Sequence, residues 1–342
     1  MNATGKSLAL SVLSLGGTFR LGRRLSRHRL VVVTYHRIVA RRQKDNGVRP
    51  SDSVFTQEFE QQIKYLVRHY HIATGEEVQS FLSEERNLPD NSVFITFDDG
   101  YENNFVEAFP ILLRHGATAG FFLTTGLIGE TNATLWFDKL DRIFSKHKLS
   151  SLISLFKEIG LPAGIQNQGV VREWIKGLTL RERDTVMEAL LHRLGSDEHG
   201  VNEKEATGLM TWDHVREMAN AGMTVGSHTV SHQILASASP EQVEEELVSS
   251  RLKIEKEIGG RCWCFAYPNG ESTDFRPSDK IALQSAGYTC AFTQIPGFIT
   301  GKTDHYALPR IPIPGSNDIR IFASRVTGVH HWLEGLRFSK SV

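Results

Sequence analysis

Three short segments hold residue types that could do hydrolytic chemistry. Asp98-Asp99-Gly100 sets two carboxylates side by side, before a residue that lets the chain turn sharply. Buried together they are costly unless a cation compensates them. A helix-capping role is the plain alternative for either Asp. His228 and His232 lie four residues apart, a spacing that puts both on one face of a helical turn, able to clamp one ion. Two His and one carboxylate leave coordination positions open, as a catalytic metal site requires and a structural one does not. Phe265-Ala266-Tyr267-Pro268-Asn269-Gly270 reads as a tight turn that could aim a backbone N–H.

Each segment follows a short apolar run, so the elements that position them read as strands. The expected strands are Leu30–Tyr35, Val93–Phe97, Thr118–Leu123, Met223–Ser227, Cys262–Tyr267 and Thr289–Thr293. Amphipathic helices alternate with them. One carries Phe55, Phe59, Ile63 and Leu66; one runs over Thr211–Ala221 before Gly222; one runs from Glu241 to Ile258 behind Ser239-Pro240. This alternation is the pattern of an α/β fold with parallel strands, and the number of units suggests a barrel. The three segments then share the C-terminal edge of the sheet, where sites form in such folds.

Between residues 135 and 208 the rhythm breaks. Helical patterns occur (Leu152, Leu155, Phe156 and Ile159, then Val186, Leu190 and Leu194) and no strand does. This is a helical insertion, either a cap over the site or an annex on the barrel's outside. From 317 to 342 the spacing of Ile319, Phe322, Val326, Val329, Leu333 and Leu336 predicts a C-terminal helix. The domain reading is an N-terminal arm over 1–29, a barrel over 30–316 with its insertion, and this helix.

Composition describes a globular chain. Of 342 residues, 40% are hydrophobic and 23% charged, and Lys+Arg equals Asp+Glu at 39 each, so net charge names no partner and gives no case for nucleic acid. The balance is uneven along the chain: Met1 to Lys44 carries ten Lys or Arg and no acid. With Leu8, Val12, Leu15 and Phe19 on one helical face, the arm reads as an amphipathic surface helix facing an anionic phospholipid or glycan, or as a solvated arm. No apolar run reaches the roughly 18 to 20 residues needed to span a bilayer. The expected location is cytoplasmic or at the inner membrane, with export left open. Three cysteines form no disulfide framework; Cys262 and Cys264 are expected to share one strand face as core residues.

The combination Thr96-Phe97-Asp98-Asp99-Gly100, Ser227-His228-x-x-x-His232 and Phe265–Gly270, in that order, resembles the polysaccharide deacetylases of the NodB-homology type, carbohydrate esterase family 4. Trp212-Asp213 ahead of Gly222 is similar to many members too. The resemblance runs from Leu30 to Pro314 apart from the insertion. It implies an α/β fold, a distorted (β/α)7-type barrel. It implies a divalent ion, usually zinc, on Asp99, His228 and His232, with Asp98 as general base. It also implies a backbone donor for the oxyanion at Asn269, Tyr267 beside the substrate, and an N-acetylated glycan as partner.

Two departures from the family pattern follow. Ala266 stands where many members have an Arg that pairs with the catalytic Asp, and Arg310, in Leu308-Pro309-Arg310-Ile311, is the candidate replacement. The late Leu-x-x-His motif, whose His protonates the leaving amine, is absent; His36 after the first strand and His305 are the candidates. The leading expectation is a carbohydrate N-deacetylase. An esterase or amidase on the same fold, or a glycan-binding pseudoenzyme, are the alternatives. A pure binder would need neither Asp98 nor Asp99.

Overall fold

Six buried apolar runs form the frame of the fold. They are β1 (Val31–Tyr35), β5 (Ser92–Phe97), β6 (Gly120–Leu123), β7 (Thr224–Ser227), β8 (Cys264–Ala266) and β9 (Cys290–Phe292). In a computed structural model they pair in parallel in the order β1-β5-β6-β7-β8-β9. The structure describes residues 17–41, 52–160, 167–194, 208–316 and 318–330.

Closure of the curl comes from a strand that hydrophobic patterning does not announce. In β10 (Ile311–Pro312), Ile311 pairs with Val33 of β1, and three residues earlier Leu308 bridges Phe292 of β9. One segment thus touches the first and last strands, and Arg310 lies within it. The sheet therefore curls into the expected (β/α)7-type barrel. Two smaller pairings add to it. β2 (Arg37–Val39) pairs with β3 (Ser53–Phe55), and β4 (His71–Ile72) pairs with the start of β5.

Alternation along the strands makes two cores. Val31, Val33, Tyr35, Ile95, Phe97, Phe121, Val225 and Phe265 face the outer helices, including Thr56–His69 and Pro240–Ile258. Leu30, Val32, Phe94, Phe122, Cys264, Cys290 and Phe292 fill the barrel, together with Val78 and Leu82 of the helix Gly75–Leu82. All three cysteines are buried thiols. Cys262 belongs to the outer core and Cys264 to the inner one, so they do not share a face: regular strand alternation begins only at Cys264.

The 135–208 stretch holds the helices Trp136–Lys146, Leu149–Glu158, Gln168–Lys176 and Leu180–Leu194, with no strand among its described residues. They bury a separate core around Leu140, Phe144, Leu152, Phe156, Ile175 and Leu190. At the C-terminus the helix Ile319–Val326 is shorter than its spacing predicts. Gly328 adopts φ +76°, which breaks the helical path after Thr327. Leu333 and Leu336 lie outside the described residues, as do Leu8, Val12 and Leu15 of the arm. The described part of the arm is the helix Thr18–Leu25, which exposes Arg20, Leu21, Arg24 and Leu25. No helix among the described residues is long and apolar enough to cross a membrane.

Candidate metal centre and catalytic site

The end of β5 carries Asp98 and Asp99 to the rim of the barrel. The Asp98 N–H donates to Tyr35 O of β1, which anchors the turn. The turn then needs two left-handed residues in succession, Asp99 at φ +75° and Gly100 at φ +88°. At Gly100 the positive φ favours glycine, and a Cβ there, 2.6 Å from Ile128 Cδ1, would also push that side chain aside. The outcome is that the two adjacent carboxylates point to different partners.

Asp98 accepts three side-chain hydrogen bonds. Arg310 makes a two-pronged pair with it, Nη1 to Oδ1 at 2.8 Å and Nη2 to Oδ2 at 2.7 Å, and Gln294 Nε2 donates to Oδ2 at 3.0 Å. Arg310 is fully buried. Its Nε donates to Thr293 O, and its guanidinium lies 5.6 Å from the Phe122 ring centre. Burial opposes ionisation of Asp98, but Arg310, with His228 and His36 further off, outweighs it and holds the carboxyl below its ordinary value.

Asp99 has the opposite surroundings. Both carboxylate oxygens are buried and neither accepts a hydrogen bond. Oδ1 faces His228 Nε2 and His232 Nε2, each at 3.4 Å. One ligand atom from each of Asp99, His228 and His232 lies within 4.8 Å of the others. Burial opposes ionisation of Asp99 too, and the two imidazoles still hold it well below the carboxylate range. A buried carboxylate with two bare oxygens is expensive. A cation among these three groups removes that cost, so the donor set fits a divalent ion.

The His pair does not lie on a helical turn. Thr229 and His232 both adopt positive φ (67° and 57°), and the segment is an irregular turn after β7. It is held from the barrel side by Glu246 of the helix Pro240–Ile258, which accepts from the N–H groups of Val230 and Ser231 at 2.7 and 3.1 Å. From the insertion side, Arg183 donates to the carbonyls of Ser231 and His232, both at 3.2 Å. His228 Nδ1 donates to Ala266 O at 2.7 Å, because a carbonyl can only accept. That leaves Nε2 of the neutral ring with its lone pair toward Asp99. His232 Nδ1 is buried without a partner. The two rings shift oppositely: burial lowers His232 below its ordinary value, whereas Asp99 and Asp98 outweigh burial at His228 and raise it.

After β8, Asn269 adopts φ +62°, and its side chain donates to Asp274 at 2.6 Å. No protein acceptor among the described residues takes its backbone N–H. Tyr267 is placed differently from expectation. Its N–H donates to Phe292 O, its hydroxyl to Tyr306 O, and its ring stacks on Phe275, so its donors are committed to the core and not offered to a substrate. His36 is half-buried at the end of β1, close enough that its charge acts on both Asp98 and Asp99. His305 acts electrostatically on Asp304 instead, and its carbonyl accepts from Ala291. Gln294, Glu246 and Arg183 carry no motif that would have marked them in the sequence.

The model of the polysaccharide deacetylase family matches residues 85–291. This chain belongs to the polysaccharide deacetylase family. Its match to that family takes in both carboxylates, both imidazoles and the Asn269 turn. Family members are amide hydrolases and metalloenzymes, which agrees with the donor set around Asp99. A putative polysaccharide deacetylase of Bacillus subtilis, YxkH, is 22% identical over 289 residues, 84% of this chain and 72% of that protein. A poly-beta-1,6-N-acetyl-D-glucosamine N-deacetylase of Staphylococcus aureus is 35% identical over 94 residues, 28% of this chain and 31% of its own length. Two solved structures share the fold. The Streptococcus pyogenes deacetylase PplD in complex with acetate aligns with TM-score 0.59 at 19% identity, over 88% of this chain and 99% of that one. IcaB from Ammonifex degensii aligns with TM-score 0.57 at 18% identity, over 88% and 97%.

Proposed function

We propose that this deacetylase-family chain is a metal-dependent hydrolase that removes N-acetyl groups from amino sugars of a polysaccharide or lipid-linked glycan. The observation that carries this reading is the unequal treatment of two neighbouring carboxylates. Asp98 is oriented by Arg310 and Gln294, and Asp99 is left bare before two imidazole nitrogens.

Asp99, His228 and His232 would hold the ion, and a carboxylate with two imidazoles suits zinc. When bound, such an ion acts as a Lewis acid toward the acyl oxygen and makes water more acidic. The chain's own groups do the rest. Asp98, kept ionised and fixed by Arg310, accepts the proton of the attacking water. The unused N–H of Asn269 is the donor for the developing oxyanion, a contact worth about 3 kcal/mol where such donors have been removed. His36 is the group assigned to protonate the departing nitrogen. The water oxygen bonds to the acyl carbon, the carbon–nitrogen bond breaks, the nitrogen takes a proton, and acetate leaves.

Acetate release from N-acetylated chito-oligosaccharides, measured with zinc- or cobalt-loaded protein, tests this. Asp98→Asn should lower turnover by about 10²- to 10⁴-fold with metal content unchanged. His232→Ala should lower both. Full activity in Asp98→Asn would overturn the role given to that carboxylate.

A further inference from the structure

The insertion reaches the turns that carry the candidate site residues through charged groups. Asp138 accepts from Arg37, next to His36, and from the hydroxyl of Tyr101, next to Gly100. Arg183 holds the carbonyls at His232. Lys176 pairs with Asp274 at 2.9 Å, and Asp274 holds the Asn269 side chain. Asp138, Arg183 and Asp274 are all buried. Burying charge is costly unless the pairing geometry is met, so these contacts define one seating of the insertion.

That seating fixes where Phe137 goes. On the helix Trp136–Lys146, Leu140, Ile143 and Phe144 turn into the insertion's own core, with Trp136 packed against it. Phe137 joins none of the three apolar cores. Its ring is half-buried; it touches the Trp136 ring on one side, with centroids 5.6 Å apart, and meets the His232 imidazole edge to face, with centroids 5.2 Å apart. Asp99, His228 and His232 themselves are almost wholly buried. Phe137 is therefore a partly exposed aromatic ring in direct contact with one of the three candidate ligand residues. An apolar ring beside a polar reaction centre suits the C–H face of a pyranose, with the acetamido group beyond it.

We propose that Phe137 is a substrate-contacting, specificity-determining residue, the wall on which the sugar ring bearing the scissile acetamide rests. This rests on the deacetylase reading above. The test uses full-length, zinc-loaded protein and triacetylchitotriose. Steady-state acetate release is measured on the parent chain, and equilibrium binding of the same trisaccharide in an Asp98→Asn background. Phe137→Ala should raise KM and Kd about five- to tenfold. It should keep kcat within about threefold and leave the metal content unchanged. Phe137→Trp should restore binding; Phe137→Leu, apolar but without a ring, should not.

Recovery by Leu as complete as by Trp would overturn the proposal. So would parallel loss of metal and kcat in Phe137→Ala, which would make the ring only a support for His232. Absence of trisaccharide binding would also overturn it. Ring-dependent binding with no acetate release would sink the deacetylase reading and leave Phe137 as a sugar contact only. Acetate release indifferent to Phe137 would sink this inference alone.

Discussion

Inside the barrel, polar site groups are embedded among packed aromatics: Arg310 lies against Phe122 and Phe292 while it grips Asp98. In the insertion, apolar side chains pack mainly on one another, and the bonds to the barrel's site turns are made by Asp138, Lys176 and Arg183. The barrel thus ties its catalytic geometry to its core. The insertion is a second small core attached to the site by charge. Damage inside the barrel should therefore cost stability and activity together, whereas damage to an attachment should act on the site first.

The largest effect is expected at Arg310→Met. It leaves the Asp98 carboxylate buried with only Gln294 as donor, a change that costs about 3–5 kcal/mol when one partner of a buried pair is lost. Denaturant unfolding should show this loss, and turnover should fall with it. A variant that unfolds like the parent would break the comparison on the barrel side.

Arg183→Gln should be milder. Two hydrogen bonds to carbonyls go, at about 1–3 kcal/mol. Because His232 has no Nδ1 partner, zinc affinity should drop by about tenfold or more. Calorimetric zinc titration checks this. Unchanged affinity would show that the insertion does not hold the His turn.

The smallest effect concerns pH and separates the two imidazoles. His228, raised above its ordinary value, competes with the ion by taking up a proton. Both carboxylates are held below theirs and stay ionised. Zinc affinity should therefore be full at alkaline pH and decline as pH falls through the imidazole range, well above the carboxylate range. Retention of zinc down to about pH 4 would show that His228 is not the group in competition.

Much of this was legible in the sequence because burial imposes a period. Five of the six principal strands lie within the expected runs and β5 begins one residue earlier, at Ser92; the three site segments follow three of them at one edge. What escaped has physical reasons. β10 has two residues, one of them a proline, and β4 also has two, too few to show alternation. The His228–His232 turn shares the spacing of a helix without being one, since two left-handed residues bring the rings together. Tyr267 sits in a motif beside the site, but strand alternation sends its ring to the outer core. Arg310 could be proposed only because the family resemblance leaves Asp98 without its usual Arg partner at Ala266. Gln294, Glu246, Arg183 and Asp138 could not, because ordinary polar residues acquire a role only from the neighbours that folding gives them. The contacts that Phe137 and Arg183 of the insertion make with His232 likewise carry no signal in the spacing of the sequence.

Zinc-edge anomalous diffraction from crystals of the zinc-loaded protein is the most direct test of the central claim. The account predicts one peak, bound by an Asp99 oxygen, His228 Nε2 and His232 Nε2, with Asp98 still on Arg310 and outside bonding distance of the ion. A peak coordinated by Asp98, or density only at other sites, would contradict it.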